Sequence, residues 1–208
     1  MNKFIVRLSL LLSIGVFYRS LGQYKTDVRV ENDVFIVSYN ETLEQPNWVE
    51  YEVRNIVKNF DRRGMNFYEP KDVYTSDNND YKSNVWDKGH MAPAAAFTDT
   101  KEKLKMTFSY LNCSLQFDKL NQGVWEALEA QERVWAKKYG TLQVRIVLRF
   151  EQDHKVLPTG GHVPNGYWKY ITFPDGRKEC FYFPNSAPTK KWGDYKIQCE
   201  VERAKTYF

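Results

Sequence analysis

Three observations in the sequence predict an α+β fold. Short runs of β-branched and aromatic residues alternate as half-buried antiparallel strands do. One long amphipathic segment stands apart from them. The 208 residues contain neither an internal repeat nor a Ser/Gly linker. The chain is 42% hydrophobic and 16% aromatic, which supplies a packed core and excludes a disordered chain. Three cysteines with no C-x-x-C pair exclude a disulfide-framed miniprotein and a zinc ribbon.

The N-terminus reads as a targeting segment. Lys3 and Arg7 precede the apolar run Leu8–Phe17, small residues follow at Ser20 and Gly22, and no acidic residue occurs before Asp27. This is the layout of a secretory signal over residues 1–22, removed from a mature domain spanning 23–208. A mitochondrial presequence is the alternative, since Lys3, Arg7 and Arg19 among serines also fit that composition. The run falls well short of the roughly 20 residues that span a bilayer, so no stable membrane association is expected after processing. Processing removes three basic residues and no carboxylate, taking 30 basic residues to 27 against 26 acidic ones and the net charge from +4 to +1. Bulk charge is therefore not what would bind an anionic partner.

The elements follow in chain order. Val34–Tyr39 is a short apolar, β-branched run and reads as a strand. Residues 61–85 are polar, with Arg62, Arg63, Asn78, Asn79 and Asp80, and read as a long loop of the kind that often carries function. Asn121–Tyr139 reads as a helix: Val124, Trp125, Leu128 and Trp135 share a face, Glu129 and Arg133 are spaced i,i+4, and Gly140 stops it. Leu142–Phe150 alternates apolar with polar residues and reads as a half-buried strand. Tyr167–Phe173, Cys180–Phe183 and Tyr195–Val201 give three more.

The chemistry concentrates in two places. His90, one of three histidines, lies in Trp86-Asp-Lys-Gly-His-Met-Ala-Pro93, where a carboxylate, a cation and an imidazole fall within four positions around a glycine. On its own this segment reads first as a turn with a hydrogen-bonded histidine, and the second cluster is what weighs against that. The second cluster is Asn112-Cys-Ser-Leu-Gln116, followed by Asn121 and Glu129. Eight residues along a helix drift by roughly 80°, so Asn121 and Glu129 can share one side. An amide oxygen suits Mg²⁺, a hard ion that keeps most of its waters and also binds phosphate. By helix logic alone, Asn121 reads first as an N-terminal cap and Glu129 as the solvated partner of Arg133.

Taken together, Asp87-Lys-Gly-His-Met-Ala-Pro93, Asn112…Gln116, Asn121-Gln-Gly-Val-Trp125 and Leu128-Glu129…Arg133 resemble the DNA/RNA non-specific endonucleases. The resemblance runs from about Val34 through Val163–Lys169 and Phe181–Asn185 to Glu200–Arg203. It implies a ββα-metal (His-Me finger) nuclease domain, with a central antiparallel sheet flanked by helices, that hydrolyses DNA and RNA without sequence specificity. It implies His90 as general base, Asn121 as the one direct protein ligand of a catalytic Mg²⁺ (Mn²⁺ being a plausible substitute), and Glu129 as the carboxylate orienting water in the ion's coordination sphere, held by Arg133. Asp87 and Asn112 match supporting positions, and Arg62, in preference to Arg63, matches the arginine that stabilises the pentavalent phosphate. A homodimer is compatible with the resemblance.

Three departures stand out. Lys88 occupies a position where the family has Arg, which keeps the charge but loses the planar fork that binds phosphate in two places. Leu115 replaces a Pro, a change expected to alter a turn, and Val147–Phe150 lacks the usual Thr-Gly, expected to alter a strand end. Lys88 also motivates the alternative reading, a catalytically weakened nucleic-acid-binding module on the same scaffold. A secreted hydrolase of another anionic ester is a third reading, without a Ser-His-Asp or paired-carboxylate site to support it. Cys180 and Cys199, on successive predicted strands, are disulfide candidates if the chain is secreted, leaving Cys113 free. His154 and His162 have no Cys or acidic partner at ligand spacing and read as structural.

Overall fold

The computed structural model describes residues 24–199. The expected signal over residues 1–22, and Glu200–Arg203 at the other end, lie outside the described residues. Among the described residues seven strands form one antiparallel sheet: β1 (Val28–Glu31), β2 (Phe35–Asn40), β3 (Gln45–Val53), β6 (Leu142–Arg149), β7 (Gly166–Thr172), β8 (Lys178–Pro184) and β9 (Lys196–Ile197), in that order across the sheet. The order is a meander with one interruption. β3 pairs directly with β6, Val49 opposite Ile146, although residues 54–141 lie between them in sequence. That insertion holds a two-stranded hairpin of β4 (Trp86–His90) with β5 (Cys113–Phe117), and the helices α1 (Lys101–Met106) and α2 (Glu126–Tyr139). Every residue assigned chemistry by the resemblance belongs to the insertion.

Alternation explains the sheet. Val37, Tyr39, Val49, Tyr51, Val144, Ile146, Tyr167, Ile171, Phe181 and Phe183 are buried, and share one core with Leu120, Trp125, Leu128 and Ala136 from the α2 region. Pro46 sits opposite Tyr39, where the β2–β3 register shifts; a residue without an N–H is tolerated at such an irregularity.

Two elements differ from the sequence reading. The segment beginning at Asn121 is not one helix: Leu120–Trp125 forms a wide π-type turn, kinked at Gly123 (φ −115°, ψ −107°), and α2 starts only at Glu126. The 100° per residue that would relate Asn121 to Glu129 is broken at that kink. Of the strand expected over Tyr195–Val201, Lys196–Ile197 is observed, Tyr195 stands in a short 3₁₀ turn, and Glu200 and Val201 lie outside the described residues. Ile197 pairs with Cys180, and the chain leaves the ladder as Cys199 turns to form a disulfide with that same cysteine, Cα–Cα 5.4 Å. Cys113 is free and buried.

Candidate active site

The β4–β5 hairpin is the platform. Asp87 lies opposite Gln116, Gly89 opposite Ser114 and His90 opposite Cys113. A Cβ on residue 89 would stand 2.3 Å from Gln116 Oε1 and 2.6 Å from its Cβ, so glycine is what lets the two strands pair there. Position 115 lies inside β5 and not in a turn. Its N–H donates to Gln45 Oε1 at 3.1 Å, a bond that a proline could not make.

His90 ends β4 with its ring 4.8 Å from Phe67 and 4.9 Å from Phe108, the latter edge-on. Its Nε2 is buried and has no hydrogen-bond partner among the described residues. Desolvation, assisted by the positive charge of Arg62, pulls its pKa down to about 3. The imidazole is therefore neutral throughout the neutral range. Asn112 holds the chain just beyond it. Its Oδ1 accepts from Ala92 N at 2.7 Å, its Nδ2 donates to Ala92 O and Thr107 O at 2.9 Å, and its own carbonyl accepts from Met91 N at 2.9 Å. With its amide donors spent in this way, Asn112 positions His90 and has little left for reacting atoms.

Lys88 projects from the same phase of β4 as His90. Its ammonium donates to Asn78 Oδ1 in the long loop and lies 5.6 Å from the Phe67 ring centre, 5.7 Å from Tyr81 and 5.6 Å from Tyr110. The aromatic faces and the amide hold the cation in place. Arg62 and Arg63 divide cleanly: Arg63 is paired with Asp61 at 2.7 Å and its side chain is 90% exposed, whereas Arg62 is the one whose charge reaches His90.

Asp87 belongs to the opposite phase of β4 and faces the π-type turn. Its Oδ2 accepts from Asn121 Nδ2 at 2.9 Å and from Gln122 Nε2 at 2.7 Å. An ionised carboxylate only accepts, so the amide nitrogen of Asn121 must face it, leaving Oδ1 without a partner among the described residues. Asn121 is not the cap of α2, whose N-cap position is Trp125. Among the described residues no three His, Cys, Asp or Glu side chains converge as a metal cage. The donor set offered to a cation is thus one oriented, neutral amide oxygen, a donor type that suits a hard divalent ion.

Glu129 lies half-buried on α2, and burial pushes its pKa up to about 8 against the opposing pull of Lys169 and Arg133. The expected Glu129–Arg133 ion pair is not closed: among the described residues no contact within 4.0 Å joins them, although the Arg133 charge acts on the carboxylate. The larger attraction comes from the sheet. Lys169, inward-facing on β7, is 0% exposed and lies 2.6 Å from Glu132 Oε1, also 0% exposed. Both residues escape a reading based on helix faces and strand phases taken separately. The signal was present: Glu132 stands midway between the buried Leu128 and Ala136, and Lys169 between Tyr167 and Ile171. Phe67 and Phe108, which pack on the His90 ring, lie in aperiodic segments that carry no strand or helix phase.

The remaining candidates are quiet. Burial pushes the Cys113 thiol up to about 12, and it lies 3.2 Å from Tyr81 Oη. His154 Nε2 and His162 Nδ1 are partners of one another at 2.6 Å.

Comparison with known proteins bears on the family and the fold. A family model described as DNA/RNA non-specific endonuclease matches residues 14–207. Nuclease C1 of Cunninghamella echinulata var. echinulata is 28% identical over 200 residues, covering 84% of this chain and 79% of that protein. The nuclease of Serratia marcescens is 27% identical, covering 70% of this chain and 59% of its own length. Mitochondrial endonuclease G of Homo sapiens is 28% identical over 53% of this chain, but over only 39% of its own length. The fold superposes with a TM-score of 0.75 on a chain in the crystal structure of the EndoG/EndoGI complex, a study of the mechanism of EndoG inhibition, at 23% identity and covering 84% of this chain and 81% of that one.

Proposed function

The chain belongs to the DNA/RNA non-specific endonuclease family, and from that premise we propose that residues 23–208 form a divalent-metal-dependent endonuclease acting on DNA and RNA. The observation that carries the reading is His90: a neutral imidazole with an unpartnered Nε2, next to the charge of Arg62. His90 takes a proton from a water as its oxygen attacks phosphorus. The bond from phosphorus to the leaving sugar oxygen breaks, and that oxygen takes a proton from solvent water. Arg62 and Lys88 supply positive charge where negative charge accumulates on the phosphate. Asn121 Oδ1, oriented by Asp87, would hold Mg²⁺, with Mn²⁺ as a substitute; when bound, the ion stabilises charge on the phosphate and leaving oxygens. Glu129 accepts a hydrogen bond from water at the same site and fixes its orientation. Contacts to the phosphate backbone carry no sequence information, which accounts for the lack of specificity.

Plasmid DNA and an RNA transcript, incubated with Mg²⁺ or with EDTA, test this directly. Cleavage should need the metal and be lost in His90→Ala and Asn121→Ala. Absence of cleavage by the parent, or undiminished cleavage by His90→Ala, overturns it. The pinned Lys88 favours one alternative, a weakened binding module, which would retain nucleic acid without turnover. We also propose export through residues 1–22, in keeping with the Cys180–Cys199 disulfide. Import into mitochondria is the competing route, and relatives named mitochondrial nucleases favour it. N-terminal sequencing of the processed chain decides between them. No helix among the described residues is long and apolar enough to cross a membrane. A homodimer is the proposed assembly, to be read by light scattering.

A further inference from the structure

One buried charged group remains unused by the mechanism. Lys169 and Glu132 are both 0% exposed and 2.6 Å apart, in the middle of the face where α2 packs on the sheet. Glu132 Oε2 also accepts from Tyr51 Oη at 3.2 Å, and the Lys169 ammonium stands 4.4 Å from the Trp125 ring centre. Stability is a poor reason for such a pair. Taking two charges out of water costs enough that replacing a buried pair with apolar side chains is often neutral or stabilising. Nor is the pair well satisfied: among the described residues neither Lys169 Nζ nor Glu132 Oε1 makes a hydrogen bond of good geometry. The ammonium thus keeps unspent donor capacity, and its charge is the first attractive one acting on Glu129, one helical turn before Glu132.

We propose that Lys169 is a positioning residue for Glu129: its buried ammonium is the counter-charge that lets the Glu129 carboxylate ionise in a desolvated place, and Glu132 sets how much of that charge Glu129 receives. The inference rests on the role given to Glu129 above. The groups facing Glu129 are Glu132 and Arg133 from α2, the Trp125 indole from the preceding turn, Lys169 from β7 and the Tyr51 phenol from β3. Only Lys169 and Arg133 are cationic, and Lys169 alone is locked in the core. In an environment of low dielectric a full charge acts strongly on a neighbour, and removing either member of the pair moves Glu129 in opposite directions.

The test compares Glu132→Gln, Lys169→Met and the apolar double substitution Glu132→Leu with Lys169→Met. The Glu129 carboxyl is titrated by ¹³C NMR in the metal-free protein, and the acid limb of DNA cleavage is recorded with saturating Mg²⁺. Glu132→Gln should lower the Glu129 midpoint, and Lys169→Met should raise it, each by on the order of one pH unit, or tenfold in the ionised fraction on that limb. The double variant should keep the melting temperature within a few degrees and still shift upward, since the attraction it loses outweighs the repulsion. It stands in if Lys169→Met fails to fold. Shifts in the same direction, or a double variant with the parent's midpoint and acid limb, overturn the proposal and leave the pair a helix-docking contact. Glu129→Gln is the control. If it cleaves like the parent, the role of Glu129 itself is wrong and the inference falls with it; if it is inactive while the midpoints stay fixed, only the inference falls.

Discussion

Asp87 Oδ2 accepts the amide of Asn121 at 2.9 Å across 34 residues of sequence, and in doing so decides which end of that amide faces outward. Asp87→Asn removes the obligatory acceptor and lets the Asn121 amide turn over. Loss of such a supporting contact typically costs 10- to 100-fold in metal affinity. The Mg²⁺ concentration for half-maximal cleavage, and Mn²⁺ binding by calorimetry, should both rise by that factor. Unchanged values would show that the orientation does not matter.

His90 leads to a stability prediction with a definite sign. Its folded pKa, about 3, lies below the ordinary histidine value, so between about pH 3 and 6.5 the unfolded chain binds more protons than the folded one. Stability is therefore lost as pH falls through that window. His90→Phe should lose less melting temperature between pH 6.5 and 4.5 than the parent, while cleavage drops by about 10²- to 10⁴-fold. Equal slopes in the two melting series would contradict it.

Glu129 has the opposite sign. Its folded pKa of about 8 exceeds the ordinary carboxylate value, so the folded chain holds the extra proton and stability declines as pH rises from about 4.3 to 8. Glu129→Gln should gain in melting temperature over the parent as the buffer goes from pH 5 to pH 9, while losing nuclease activity. This is the usual tension between function and stability at a desolvated site.

Lys88 is held by Asn78 and three aromatic rings, yet it lies on the face of β4 that carries His90. If its charge meets a phosphate, Lys88→Met should weaken DNA binding and reduce the slope of log affinity against log salt by about one contact. Lys88→Arg should keep that slope and increase turnover, because guanidinium engages phosphate in two places. A salt slope unchanged in Lys88→Met would mark the lysine as purely structural.

The disulfide predicts a thiol count. Non-reduced protein should show one reactive thiol in denaturant and none when native, since Cys113 is buried. Three thiols in the denatured, non-reduced protein would rule out the Cys180–Cys199 bond.

Much of the candidate site was legible from sequence because its parts are local. Asp87, Lys88 and His90 sit within four residues of one strand, and a strand's two-residue period places Asp87 on one face and the other two on the opposite face. Asn121 was legible only by resemblance. Its helical phase relative to Glu129 is interrupted at Gly123, and a glycine kink leaves no trace in a hydrophobic pattern. The preference for Arg62 over Arg63 follows from sequence position; the structure adds that Arg63 is paired with Asp61.

The sequence by itself determined the α+β class, four of the strands, the long loop and the chemical types gathered near His90, because each of these follows from neighbours a few residues apart. Tertiary structure alone decided what those groups experience. The meander closes β3 onto β6 and ejects residues 54–141 as one insertion, and burial in that insertion makes His90 neutral. The return of the chain through β7 brings Lys169 against Glu132, 37 residues back in sequence. A charge's energy depends on what water it has lost and which opposite charge lies near it, and both are properties of the packed chain.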